Sequence, residues 1–209
     1  MKAATFFTHE EGEQIKTTTH SVESRTDGEI AVMVVDQSDQ YREAEILGGV
    51  IFGSLLSLVI SVLFFHESLH AYIPLSFGLF FPFWWIGAKF PRLKLVFIGP
   101  RRKEETVRQR AIQAFYEKGL YKTRFHTGVL IFLSLLEHKV WVLADEGIYE
   151  KMNQETLNRF AQDVSLGIKE GRPCEALCQA IEGIGRLLIE HFPITPGDID
   201  ELPDEVMTE

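Results

Sequence analysis

Two uncharged stretches, Ile46 to Phe65 and Tyr72 to Ala88, separated by only six residues, constrain this chain more than anything else in it. At about 1.5 Å rise per residue, the first reaches across a hydrocarbon core of about 30 Å, and the second, of seventeen residues, just does so. The pair predicts a transmembrane helical hairpin over residues 46–88. Because polar chain flanks it on both sides, the two flanks must emerge on one membrane face. Lys89, Arg92, Lys94, Arg101, Arg102 and Lys103 follow the second run and Arg42 precedes the first, whereas His66 to Ala71 holds no Lys or Arg. The positive-inside bias therefore predicts a two-span protein of the cell (inner) membrane with both termini cytoplasmic. The start, Met1 to Glu10, has no apolar segment of signal-peptide length, so no export of the N-terminus is expected.

Residues 1–45 and 89–192 together make about one ordinary domain, split by the hairpin and followed by an acidic tail over 193–209. A net charge of −9 argues against nucleic acid as a partner, since phosphate neutralisation needs a concentrated basic face. Only two cysteines occur, Cys174 and Cys178, four apart in a predicted helix. That spacing suits packed free thiols in a reducing compartment better than a disulfide.

Thr8 and Glu11 have capping-box spacing and open a predicted helix to about Arg25. Thr26-Asp27-Gly28 turns the chain into Glu29 to Asp36, a β-branched run suited to a strand buried on both faces. Arg101 to Glu117 reads as a basic amphipathic helix with Val107, Ala111, Ala114 and Phe115 inward; Arg101 to Arg110 either leans on anionic headgroups or only sets topology. Val129 to Leu136 and Val140 to Ala144, joined at Glu137-His138-Lys139, predict an antiparallel pair. Helices are expected over about 148–170, broken near Asn153, and over Pro173 to His191. The tail should be extended unless it docks on the domain's own basic surface.

In its order of elements the chain resembles the TPM-domain family, in particular membrane-associated bacterial members with an inserted hairpin. The resemblance rests on Phe7-Thr-His-Glu-Glu11, Arg25-Thr-Asp-Gly-Glu-Ile30, Thr127-Gly-Val-Leu-Ile131, Glu137 to Ile148, His191-Phe-Pro193 and Glu201-Leu-Pro-Asp204. It implies an α/β fold: an α/β/α sandwich with a mixed sheet, interrupted by the hairpin. Its functional implication is broad, covering phosphatase-labelled proteins, calcium binders and assembly partners of membrane complexes.

Three chemistries compete. His66-Glu67-Ser68-Leu69-His70 fits HExxH, which on a helix would place His66 and His70 on one face for zinc with Glu67 polarising water. No third ligand is indicated, Pro74 limits the helix and the site would lie across the membrane from the domain, so zinc proteolysis ranks last. A cysteine-based phosphatase is excluded, because Ala180 and Ile184 stand where an arginine would be needed six residues after each cysteine. Asp36 and Asp145 follow predicted strands, with Asp27 and Glu146 near them in sequence. Strand ends often converge on a crevice, where these carboxylates would hold calcium or magnesium, with Arg124 and Thr127 toward a phosphate. Carboxylates that cap helices are the plainer alternative.

Gly49, Gly53, Ser57 and Ser61 recur every four residues, a stripe that lets helices approach closely, either the second run through Gly78 or the same helix in another copy. The leading expectation is a membrane-tethered interaction or accessory module with the lipid bilayer and a membrane or cytoplasmic protein as partners. A metal-dependent phosphatase-like hydrolase is the alternative.

Overall fold

The computed structural model describes residues 2–65, 69–195 and 202–209. Two compact units are present, one built from residues 1–38 with 104–209 and the other from 39–103.

In the first unit, a 3₁₀ turn at Ala3–Thr5 precedes helix α1 (His9–Glu23), whose N-terminus carries the expected capping box: Thr8 Oγ1 accepts from Glu11 N while the Glu11 carboxylate accepts from Thr8 N. Strand β1 (Glu29–Val35) runs parallel to β2 (Gly128–Ser134), pairing Glu29 with Gly128 and Val35 with Ser134. Strand β3 (Lys139–Ala144) returns antiparallel to β2. The last strand, β4 (Met207–Thr208), adds parallel to β1, giving the order β3-β2-β1-β4. Every residue of β1 and β2 is buried, as the unbroken apolar runs require of strands covered on both faces.

Alternation along the strands divides the core in two. Ile30, Val32, Val34, Val129, Ile131 and Leu133 face α1, α7 (Gln154–Lys169) and α8 (Pro173–His191). Ala31, Met33, Leu130 and Phe132 face Val107, Ala111, Ala114 and Phe115 of α5 (Pro100–Glu117). This is the α/β/α sandwich with a mixed sheet. Cys174 and Cys178 are free and buried against α1, and burial followed by the charge of Cys178 pushes the Cys174 thiol up to about 12.

The tail does dock on basic groups. Lys16 pairs with Glu205 at 2.8 Å, Arg110 pairs with Glu209, and Asp36 N donates to Glu209 O.

The second unit contains α2 (Arg42–Phe64), α3 (Leu69–Lys89) and α4 (Pro91–Lys94). Both α2 and α3 are long and apolar enough to cross a membrane. Gly49, Gly53, Ser57 and Ser61 are the buried positions of α2 together with Ala44. A Cβ at Gly49 would lie 2.9 Å from the Phe80 ring, and one at Gly53 would lie 3.0 Å from Phe80 N. Ser57 Oγ donates to Tyr72 O at 2.9 Å. The stripe is thus covered by α3 of the same chain, at Phe80 rather than at Gly78, where an added Cβ would meet open space. Pro74 and Pro82 lie inside α3, so Pro74 does not limit that helix. Lys94 Nζ is held 2.5 Å from the Glu45 carboxylate and donates to Gln40 O, which covers its charge at the base of the hairpin.

Candidate functional site

The register of the sheet decides which candidate residues meet. Because β1 and β2 are parallel and β3 is antiparallel, the beginning of β1, the beginning of β2 and the end of β3 share one edge. Asp27, Arg124, Thr127, Asp145 and Glu146 all flank that edge. Asp36 follows the end of β1 and lies at the opposite edge, seven strand residues or roughly 20 Å away at about 3.3 Å per residue. There it accepts from Ala3 N at 2.5 Å. Asp36 and Asp145 therefore do not converge on one crevice. Each ends a strand, but the two strands run in opposite directions.

At the shared edge, the side chains are tied into the fold. Thr127 is fully buried; its Oγ1 donates to Asp27 O at 2.7 Å and its N–H donates to Thr123 Oγ1 at 3.0 Å. Asp27 is also buried, and its Oδ1 accepts from Thr195 N at 2.7 Å, fixing the chain beyond α8. Asp145 is the N-cap of the short helix α6 (Glu146–Tyr149), its Oδ1 accepting from Glu146 N at 2.9 Å. Its Oδ2 lies 3.2 Å from His126 Nδ1. His126 has a left-handed backbone (φ 55°), and Gly147 packs under it so closely that a Cβ there would sit 2.8 Å from His126 O. The guanidinium of Arg124 lies over the Phe125 ring, 5.0 Å from its centroid.

The geometry matches helix capping and turn closure for Asp145 and Asp27. Each carboxylate accepts a backbone N–H through Oδ1, as a cap or a turn requires. Among the described residues, no group of three or more His, Cys, Asp or Glu side chains is arranged to hold a metal ion. Of the HExxH pentad, His66 and Glu67 lie outside the described residues, and His70 sits in the first turn of α3.

The most perturbed group was not anticipated from sequence. Glu23, at the last turn of α1, is 9% exposed, and its Oε1 accepts from Ile30 N at 2.7 Å. Since β4 pairs only with Met33 and Val34, Ile30 lies on the part of β1 beyond that partner, and the carboxyl supplies the missing acceptor. The Asp204 carboxyl lies close by, with Glu29 nearby, and burial first and Asp204 second push Glu23 up to about 10; Glu23 Oε2 and Asp204 Oδ1 are both buried without a hydrogen-bond partner among the described residues. Two buried carboxyls this close favour a state in which one keeps its proton. His20 approaches Asp204 from the other side, Nδ1 to Oδ2 at 3.2 Å. The available signal was an acid at a helix C-terminus, where the macrodipole disfavours negative charge.

The TPM domain family model matches residues 94–187. That stretch begins after the hairpin and includes β2, β3 and most of α8. Among solved structures, the NMR structure of the BA42 protein from the psychrophilic bacterium Bizionia argentinensis superposes with a TM-score of 0.61. It covers 98% of this chain and 96% of its own at 20% identity, a likeness of fold. No curated protein matches. Over residues 94–187 the chain is thus similar to the TPM domain, and across its length it shares the fold of that solved neighbour.

Proposed function

We propose that this protein is a membrane-tethered accessory module, anchored in the cell (inner) membrane by the α2–α3 hairpin, which presents its TPM domain to a protein partner at the cytoplasmic face. The observation that carries the reading is the outward turn of the hairpin's large apolar side chains. Leu58 is 51% exposed, Leu63 70% and Phe77 72%, whereas the small residues face inward. In water this arrangement is unfavourable at about 25 cal/mol per Å² of apolar surface, and in lipid it costs nothing. Lipid also tolerates Pro74 and Pro82, because neighbouring helices and local adjustments satisfy the freed carbonyls.

Membrane fractionation with labels at residues 1 and 209 tests the anchoring. Both labels should be protected in sealed right-side-out vesicles and accessible in inverted ones. Labels in opposite compartments, or a chain that stays dispersed without detergent, would overturn it. The partner role is tested by site-specific photocrosslinking from Tyr116 and Tyr121, exposed aromatic positions of the domain, in intact membranes. A discrete heteromeric adduct supports the module, and its absence at both positions counts against it.

The competing hydrolase reading makes a separable demand. A cation at about 100-fold excess over its Kd should add about 2.7 kcal/mol to the folded state. A thermal shift of that size with calcium, magnesium or zinc would favour the hydrolase.

A further inference from the structure

At the edge of the sheet opposite Asp27 and Asp145, where β2 ends and β3 begins, the first unit is open to a cleft of about 640 Å³. Small-molecule sites fall at about 300–1,000 Å³, so the volume suits one ligand of modest size. Its walls are apolar: Phe6, Leu133, Leu135, Val140 and Ile168 contribute most of them. The ionisable groups lining it are His138, Lys139 and Lys169, all of them basic, in a chain whose net charge is −9. Neighbouring carboxylates are committed elsewhere. Glu137 accepts from Ser38 N at 3.1 Å and from the Ser134 hydroxyl, and Glu170 pairs with Arg172 at 2.5 Å. Lys139 shares the α5 face of β3 with Trp141, and its Nζ lies 3.9 Å from Glu104 there, so it lines the cleft beside its backbone and leaves Lys169 as the ammonium on the cleft side.

We infer that this cleft binds a small amphiphilic carboxylate, a medium-length acyl chain laid against the apolar walls with its carboxylate at Lys169, on the same side of the sheet as those walls. The walls supply the hydrophobic transfer term, and the Lys169 ammonium sets the head-group polarity and excludes cationic amphiphiles. Gly171, in a left-handed turn (φ 77°), closes one end of the cleft between α7 and α8 without a side chain that would narrow it. The inference concerns the domain alone and stands whether or not the hairpin enters lipid.

The test uses the full chain in lipid nanodiscs and a decanoate carrying a mid-chain diazirine, with crosslinked peptides mapped by mass spectrometry. Adducts should fall within residues 133–140 and 165–173, and excess decanoate should suppress them at least tenfold better than decanol or decylamine. Lys169→Gln should reduce labelling of the cleft at least tenfold without moving the melting temperature, whereas Lys139→Gln, on the α5 face, should leave labelling unchanged. Val140→Trp, which fills the cavity, should abolish it. Adducts confined to the hairpin, equal competition by decanol, or undiminished labelling of Lys169→Gln would each overturn the proposal.

Discussion

Strand β2 and helix α2 are both almost entirely apolar, yet they put those side chains to opposite uses. In β2 every residue is buried, because a strand leaves its backbone groups to be satisfied by neighbours and so must lie inside a sheet. Helix α2 satisfies its own backbone along most of its length and can leave Leu55, Leu58 and Leu63 facing outward. The difference teaches that apolar content does not itself specify a core. Backbone hydrogen bonding decides which segment needs protein around it and which needs only an apolar solvent.

The sharpest way to break this comparison is a matched pair of substitutions. Phe132→Ala, at a fully buried β2 position facing α5, should cost about 3–5 kcal/mol and lower the melting temperature of the sheet unit, followed through Trp141 fluorescence. Leu58→Ala, removing an outward leucine, should leave that transition in place. Next in size, Leu58→Arg should impair membrane integration by about 2.5–3.5 kcal/mol, seen as a loss of carbonate-resistant chain. If position 58 faces water instead, the same change should stay within about 0.5 kcal/mol.

Gly53→Leu probes the interior of the hairpin. With Phe80 N only 3.0 Å from the new Cβ, overpacking should cost about 1–3 kcal/mol. Trp84 and Trp85 fluorescence in a Trp141→Phe background should report it while the sheet unit stays folded. A change in the sheet unit instead would show that the two regions are not separable in the way their packing indicates.

The smallest expected effect per step concerns Glu23. Its folded pKa, about 10, lies above its ordinary value of 4.5, so its contribution to stability is fully present below about pH 4.5. The contribution declines as pH rises toward 10, with a slope of at most about 1.4 kcal/mol per pH unit. Glu23→Gln keeps an acceptor for Ile30 N and gains a donor toward Asp204, so thermal melts should lose most of that slope and the variant should melt higher at pH 9. An unchanged slope would remove Glu23 from the account.

Much of the fold was legible locally. The Thr8–Glu11 box, the break before Gln154 and the start of α8 at Pro173 are short-range chemistry, and each falls where its residues indicate. What escaped was non-local. Two residues of β4 in an acidic, proline-containing tail carry too little pattern to announce a strand; their place depends on Met33 and Val34, far earlier in the chain. The separation of Asp36 from Asp145 depends on β1 and β2 being parallel, which no local motif encodes. The Glu23–Asp204 contact likewise joins groups distant in sequence. Exposed apolar side chains along α2 and α3, by contrast, follow from their composition alone.

The hairpin is inserted within the crossover that joins β1 to β2. A parallel pair requires a long connection in any case, so the insertion leaves the strand register untouched. During synthesis this order has a temporal cost. Residues 36–127 must leave the ribosome before β1 can meet β2, roughly 5–20 s at about 5–20 residues per second. Throughout that interval Ile30 to Val35 is an apolar strand segment without its β2 partner, open to aggregation. Chaperone demand for this protein should therefore peak between the arrival of the hairpin and the emergence of Gly128.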